Sequence, residues 1–213
     1  MSHLPTDFSD NPIRLFKSDF LEFFTHISPI AVCVIWVPIA AYFLVSSILH
    51  PAVTGFPFYI LIGYLGGLFF WTLAEYLLHR FVFHFPPKTP TLERVTFLFH
   101  GIHHVQPQIK TRLVMPPVVS IPLALIFYGL FTLVFSLLFN VPHWMVPIFS
   151  GLITGYLIYD LTHYATHHFP MRSGWAKNIK RYHMQHHYKT PDKRFGVSSP
   201  LWDIVFRTKP EEA

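Results

Sequence analysis

One cysteine, Cys33, in 213 residues excludes a disulfide framework and every cysteine-based metal or redox motif. Charge is scarce as well. Asp, Glu, Lys and Arg make up only 13% of the chain, against roughly a quarter in soluble domains. The basic residues are also confined. All 16 Lys and Arg lie within 14–17, 80–112 and 172–209, and the short connections 50–57 and 140–143 have none. Residues 1–28 lack a basic start followed by an apolar core, so no cleaved signal peptide is expected. What is abundant is apolar: 52% hydrophobic and 18% aromatic residues, with 23 Phe. That balance belongs to a membrane protein. The net charge of +5 then reads as a record of membrane orientation, not as affinity for nucleic acid.

Four apolar stretches reach or approach the ~20 residues that cross a bilayer: 29–49, 58–78, 117–139 and 144–159. Ahead of them, in the N-terminal segment 1–28, Ile13 to His26 mixes Leu15, Phe16, Phe20 and Phe23 with charges and predicts a short interfacial amphipathic helix. The regions 79–116 and 160–213 are polar and basic. Four spans place all three basic segments on one side, and the positive-inside rule makes that side, with both termini, cytoplasmic. The second and fourth spans should continue past the bilayer, to about His84 and His168, with further cytoplasmic helices over 92–104 and 176–187. The predicted fold class is an all-α integral membrane protein, a single domain of four transmembrane helices with a cytoplasmic helical cap.

Ten histidines sit in that cap, in four clusters: His79 and His84; His100, His103 and His104; His163 and His167; His183, His186 and His187. Residues three and four apart share a helix face, so the last three clusters can each aim imidazoles at one point. His79 and His84 are five apart, which predicts that the helix ends or bends between them. A lone histidine is usually a core or surface residue; four clusters at ligand spacing are a metal signature. Ten ligands exceed one ion. Two ions with about five nitrogens each keep an open position on both, which suits oxygen chemistry. His168 should point about 100° away from His167, and it is assigned no ligand role, nor are His3, His26, His50 and His143. Glu75 and Asp160 stand one helical turn before His79 and His163 and are candidates to orient them from behind. Tyr156 and Tyr159 are candidates to line a substrate path. The two halves each supply one helix-extension cluster and one HxxHH cluster, a rough symmetry that predicts two similar half-sites.

In the stretches IRLFKSDFLE, LAEYLLHRFVFH, FLFHGIHHVQP, YDLTHYATH and RYHMQHHYKTPDKRFGVSSPLWDIVFRT, the chain resembles the fatty acid hydroxylase/sterol desaturase superfamily, and within it the fatty acid 2-hydroxylases. The resemblance covers nearly the whole chain as one hydroxylase domain. It implies that the ten histidines are the metal-binding and catalytic set, and that the reaction hydroxylates the 2-position of a long acyl chain, free or in a ceramide. The implied cofactors are two iron ions with O2 as co-substrate, zinc being an expected occupant of purified samples. Fungal and animal members carry a fused haem-binding cytochrome domain, for which 28 residues are too few. The expectation is therefore a separate electron donor of cytochrome or ferredoxin type. The compartment would be the endoplasmic reticulum in a eukaryote and the inner membrane in a bacterium.

The competing enzyme reading is a related hydroxylase or desaturase of a sterol, carotenoid or other lipid, since the histidines fix the metals and not the pocket. A metal transporter or sensor is the reading from another class. It would need polar ligands along the spans, and these spans have almost none. A scaffold that has kept only the metal-binding fold is the third.

Overall fold

Pro29, Pro90 and Pro117 each stand first in a helix, where the amide that proline lacks would have had no intrahelical partner. The computed structural model describes residues 5–50 and 58–211. Among these the helices are α1 (Asp19–Phe23), α2 (Pro29–Ile48), α3 (Phe58–Leu77), α4 (Pro90–Thr96), α5 (Ile102–Val105), α6 (Pro117–Phe131), α7 (Met145–His168), α8 (Gly174–Tyr188) and α9 (Leu201–Val205). Three π-helical stretches, Leu78–Phe83, Phe97–Gly101 and Thr132–Leu138, extend α3, join α4 to α5 and extend α6. The expected all-helical architecture with four long apolar helices is what forms, and the chain is a multi-pass membrane protein. The candidate spans are Pro29–Ile48, Phe58–Phe83, Lys110–Leu138 and Pro142–His168. The turn expected at 50–57 lies outside the described residues from 51 onward.

The chain divides into two compact units. One comprises Pro29–Trp71 and Met115–Ile158, the other Met1–Ser28, Thr72–Val114 and Tyr159–Ala213; α3 and α7 each run from the first unit into the second. In the first unit, α2 of 20 residues is about 30 Å long, the thickness of a hydrocarbon core. Its packed face is aromatic: Trp36 meets Tyr156 edge-on with centroids 5.6 Å apart, and Tyr156 meets Trp71 at 5.4 Å. Ser150 Oγ donates to the Ala40 carbonyl at 2.8 Å and ties α7 to α2. Outward-facing side chains such as Ile30, Leu125 and Ile126 are exposed and apolar, as lipid-facing positions require.

In the second unit the N-terminal segment differs from expectation. The helix is confined to Asp19–Phe23, because the amides of Leu15 and Phe16 donate to the Glu22 carboxylate at 2.9 and 2.8 Å instead of continuing a helix. The segment forms an arm along the loop after α5. Asp7 N donates to Val105 O and Ile27 N to Thr111 O, both at 2.8 Å. Buried Gln106 accepts from Ile13 N and donates to Asp7 and to the Asn11 carbonyl, and Arg112 pairs with Glu22 and bonds Ile13 O. Phe20 and Phe23 remain more than 70% exposed, an apolar face that suits a membrane interface.

Candidate metal centre

The first cluster is built on a widened turn. Where an end or bend was expected between His79 and His84, α3 instead loosens into the π-helical turn Leu78–Phe83, with His84 N donating to His79 O at 3.0 Å. An i→i+5 turn brings residues five apart to the same face, so the HxxxxH spacing is matched by the backbone that carries it. The second cluster straddles the Phe97–Gly101 π-turn and α5. The third and fourth lie on regular α-helix, at the end of α7 and along α8.

All ten expected histidines come together, in two groups of five. His79, His84, His100, His104 and His186 form one; His103, His163, His167, His183 and His187 form the other. In each group the five candidate ligand nitrogens lie within 4.8 Å of one another. Each group thus takes four histidines from one half of the chain and one from the other. His103 and His186 are the two that cross. The reason is helical: in HxxHH the first and last residues are 40° apart around the axis, while the middle one diverges from the last by about 100°. His100 and His104 therefore face one group and His103 the other, and the pattern repeats with His183 and His187 against His186. His168 belongs to neither group.

The nitrogens suit metal ions. Neighbouring Nε2 atoms stand 2.9–3.0 Å apart, as in His79–His100, His84–His186, His103–His163 and His183–His187. Two ligands at ~2.1 Å from one ion and at right angles are ~3.0 Å apart, whereas a tetrahedral pair would be ~3.4 Å apart. The backbone also fixes the tautomer of two of these rings. His79 Nδ1 donates to Phe195 O at 2.6 Å and His186 Nδ1 to Lys193 O at 2.7 Å, so both rings carry their proton on Nδ1 and turn a bare Nε2 inward. Burial keeps the rings neutral. His104 is pushed down to about 3 by burial and then by neighbouring imidazoles such as His79. His100, His103, His183, His186 and His187 are held well below the usual value for the same reasons, burial first. Neutral imidazole is the metal-binding form.

Glu75 was expected to orient His79 from behind. It does not bond His79. Its carboxylate accepts from Val197 N at 2.6 Å and from Ser198 N at 2.8 Å, as well as from Ser198 Oγ. The side chain is long enough to pass the ring one turn ahead and reach the C-terminal loop. Asp160 is buried, 1% exposed, one turn before His163. Tyr159 is stacked on His163 with an interplanar angle of 18°. Tyr156 lines a small cleft with Trp36, Trp71, Leu123 and Phe127, walled by apolar atoms. Spacing gave no hint of Asp203, which lies fully buried behind the first group and accepts from the amides of Phe195 and Gly196. The one sequence signal was an acidic residue in the otherwise apolar LWDIVF.

The fatty acid hydroxylase family model matches residues 64–208. The chain belongs to the fatty acid hydroxylase family. Dihydroceramide fatty acyl 2-hydroxylase FAH1 of Arabidopsis thaliana is 38% identical over 208 residues, covering 98% of this chain and 84% of that protein. Ceramide very long chain fatty acid hydroxylase scs7 of Schizosaccharomyces pombe is 39% identical, covering 97% of this chain and 58% of that protein. Fatty acid 2-hydroxylase of Rattus norvegicus is 36% identical, with shares of 95% and 58%. A solved structure described as full-length scs7p with only its hydroxylase domain visible superposes with a TM-score of 0.81 at 35% identity, covering 91% of this chain and 70% of that one. As a fatty acid hydroxylase the chain is an oxidoreductase, and its two histidine groups form a di-metal site.

Proposed function

We propose that this chain hydroxylates the 2-position of a long fatty acyl chain, free or within a ceramide, using two iron ions, O2 and electrons from a separate donor. The observation that carries the reading is the pair of five-nitrogen groups in a chain whose near-full-length relatives are named as fatty acyl 2-hydroxylases. The ten histidines named above hold the ions and are the catalytic set. Two irons in such a site supply O2 activation and oxidation of a C–H bond when bound. The residues around them position and protect. His79 and His186 keep Nε2 deprotonated by donating from Nδ1, and each group would hold one ion through its five imidazole nitrogens. Burial of seven of the ten rings excludes bulk water. Selectivity for the carbon next to the carbonyl then follows from where the polar head is held, an orientation effect.

The histidine-bearing side is cytoplasmic on this reading, supported by the confinement of Lys and Arg to the three segments on that side. The electron donor fits the outer face of α8, where Lys177 and Arg181 are exposed on the helix whose inner face carries His183, His186 and His187. Such a face favours an acidic redox protein of cytochrome or ferredoxin type.

The test is lipid mass spectrometry of a host lacking the activity but supplying iron and a donor, comparing the parent chain with His163→Ala. The expected result is 2-hydroxy acyl chains with the parent and none above background with the variant. Hydroxylated sterols or carotenoids in their place would move the assignment to another lipid.

A further inference from the structure

Four consecutive amides, from Phe195 to Ser198, are captured by two buried carboxylates, Asp203 and Glu75. Phe195 N donates to Asp203 Oδ1 at 2.9 Å and Gly196 N to Asp203 Oδ2 at 2.8 Å. Val197 N and Ser198 N donate to Glu75 Oε1 at 2.6 and 2.8 Å. Asp203 is further fixed by Thr208, whose Oγ1 donates to it at 2.7 Å and whose amide donates to its carbonyl at 2.8 Å. The loop has no slack at its centre: a Cβ on Gly196 would stand 2.0 Å from Ser199 O and 3.0 Å from Asp203 Oδ2.

With its amides drawn to one side, this loop presents carbonyls to the other. Phe195 O accepts from His79 Nδ1, and Lys193 O, two residues earlier, accepts from His186 Nδ1. His79 and His186 both belong to the first group. In the second group His163 is hydrogen-bonded to the backbone of Leu113, outside this loop, and Nδ1 of His103, of His183 and of His187 is buried with no hydrogen-bond partner among the described residues. The support from the 193–198 loop goes to the first group.

We infer that Asp203 and Glu75 are positioning residues for the first metal ion, acting on His79 and His186 through the backbone of the 193–198 loop, and that the second ion is held without them. A carboxylate accepts two amides where a carboxamide offers one acceptor and opposes the other amide with its own N–H. Asp203→Asn therefore forces part of the loop away and loosens the carbonyl that sets the His79 ring. Losses behind a ligand typically cost about 10–100-fold in metal affinity. The inference rests on the two-ion reading given above.

The experiment uses the full chain, purified in detergent and loaded with ferrous iron without oxygen. Iron per chain is measured by elemental analysis across a chelator series. The parent should hold two ions, Asp203→Asn one ion at parental affinity and one weakened about 10–100-fold. Combination with a ligand variant reads out which ion is affected. Asp203→Asn with His163→Ala should approach zero ions at moderate chelator, whereas Asp203→Asn with His84→Ala should keep one. Ser198→Ala, which deletes one hydroxyl and leaves both carboxylates, carries the same test if Asp203→Asn does not fold; its weaker ion should again be the one that His84→Ala removes. Two ions at parental affinity in Asp203→Asn, or equal weakening of both ions, overturns the inference. A parent holding fewer than two ions overturns the two-ion reading and the inference with it.

Discussion

Replacing His186 by alanine should empty the metal site built mainly from the first half of the chain, and replacing His103 should empty the one built mainly from the second half. Sequence order would suggest the opposite, because His186 sits beside His183 and His187, and His103 beside His100 and His104. The grouping is decided by angle. The middle histidine of each HxxHH diverges by about 100° from the last, and each is found among the nitrogens of the other half. Each single variant should lower metal content from about two ions per chain to about one and lower hydroxylation at least ~100-fold, since removing a ligand costs no less than removing its support. Pairing resolves the assignment through non-additivity. His186→Ala with His84→Ala strikes one group and should still leave one ion; His186→Ala with His167→Ala strikes both and should leave none. If the first pair leaves none and the second leaves one, the crossed grouping is wrong.

Adding a single methyl at Gly67 or Gly151 should prevent α3 and α7 from packing. A Cβ on Gly67 would stand 2.0 Å from Ile148 O and 2.8 Å from Leu152 N, and one on Gly151 would stand 2.0 Å from Tyr64 O. The obstacles are backbone atoms, which no rotamer change can move. Gly155, whose Cβ would meet the Trp71 side chain at 2.5 Å, continues the contact. Small residues that allow backbones to touch are how helices associate in lipid, where the hydrophobic effect gives no drive. Gly67→Ala or Gly151→Ala should cost about 3 kcal/mol or more, the upper end for overpacking, and the pair should cost less than the sum because either methyl already opens the interface. Gly66→Ala is the control, with nothing within 4 Å of the added atom; it should change stability by no more than ~1 kcal/mol. Thermal unfolding in detergent reads all of these. A Gly67→Ala protein that melts with the parent would refute the close approach.

Much of this was legible because membrane spans and metal clusters are both written in local spacing. α2 begins at Pro29 as expected, and α7 runs on to His168 as one rod, because apolar length and the absence of breakers are properties of a window of sequence. The ten histidines were legible for the same reason. Their division was not, since it depends on how α5 and α8 are rotated about their axes. The π-turn under HRFVFH was also hidden: spacing of five is incompatible with a regular α-helix but does not say whether the chain bends or widens. Glu75 shows a different limit. Its position one turn before His79 suggested direct support, yet its partners are Val197 and Ser198, more than a hundred residues away in sequence. Asp203 was silent because a carboxylate's value here lies in collecting backbone amides, and amides carry no sequence signal. The N-terminal arm likewise has a helix's composition but gives its amides to Glu22.

The most direct test of the account exchanges the metal in one preparation. His-rich sites hold zinc at least as tightly as ferrous iron, so the purified chain is stripped and reloaded separately with each, then given O2, a reductant and a long-chain acyl substrate. The iron-loaded protein should give 2-hydroxy product and the zinc-loaded one none above background. Zinc-loaded, iron-free protein that hydroxylates would contradict the proposed function, as would an iron-loaded protein that places the hydroxyl at a carbon other than the one next to the carbonyl.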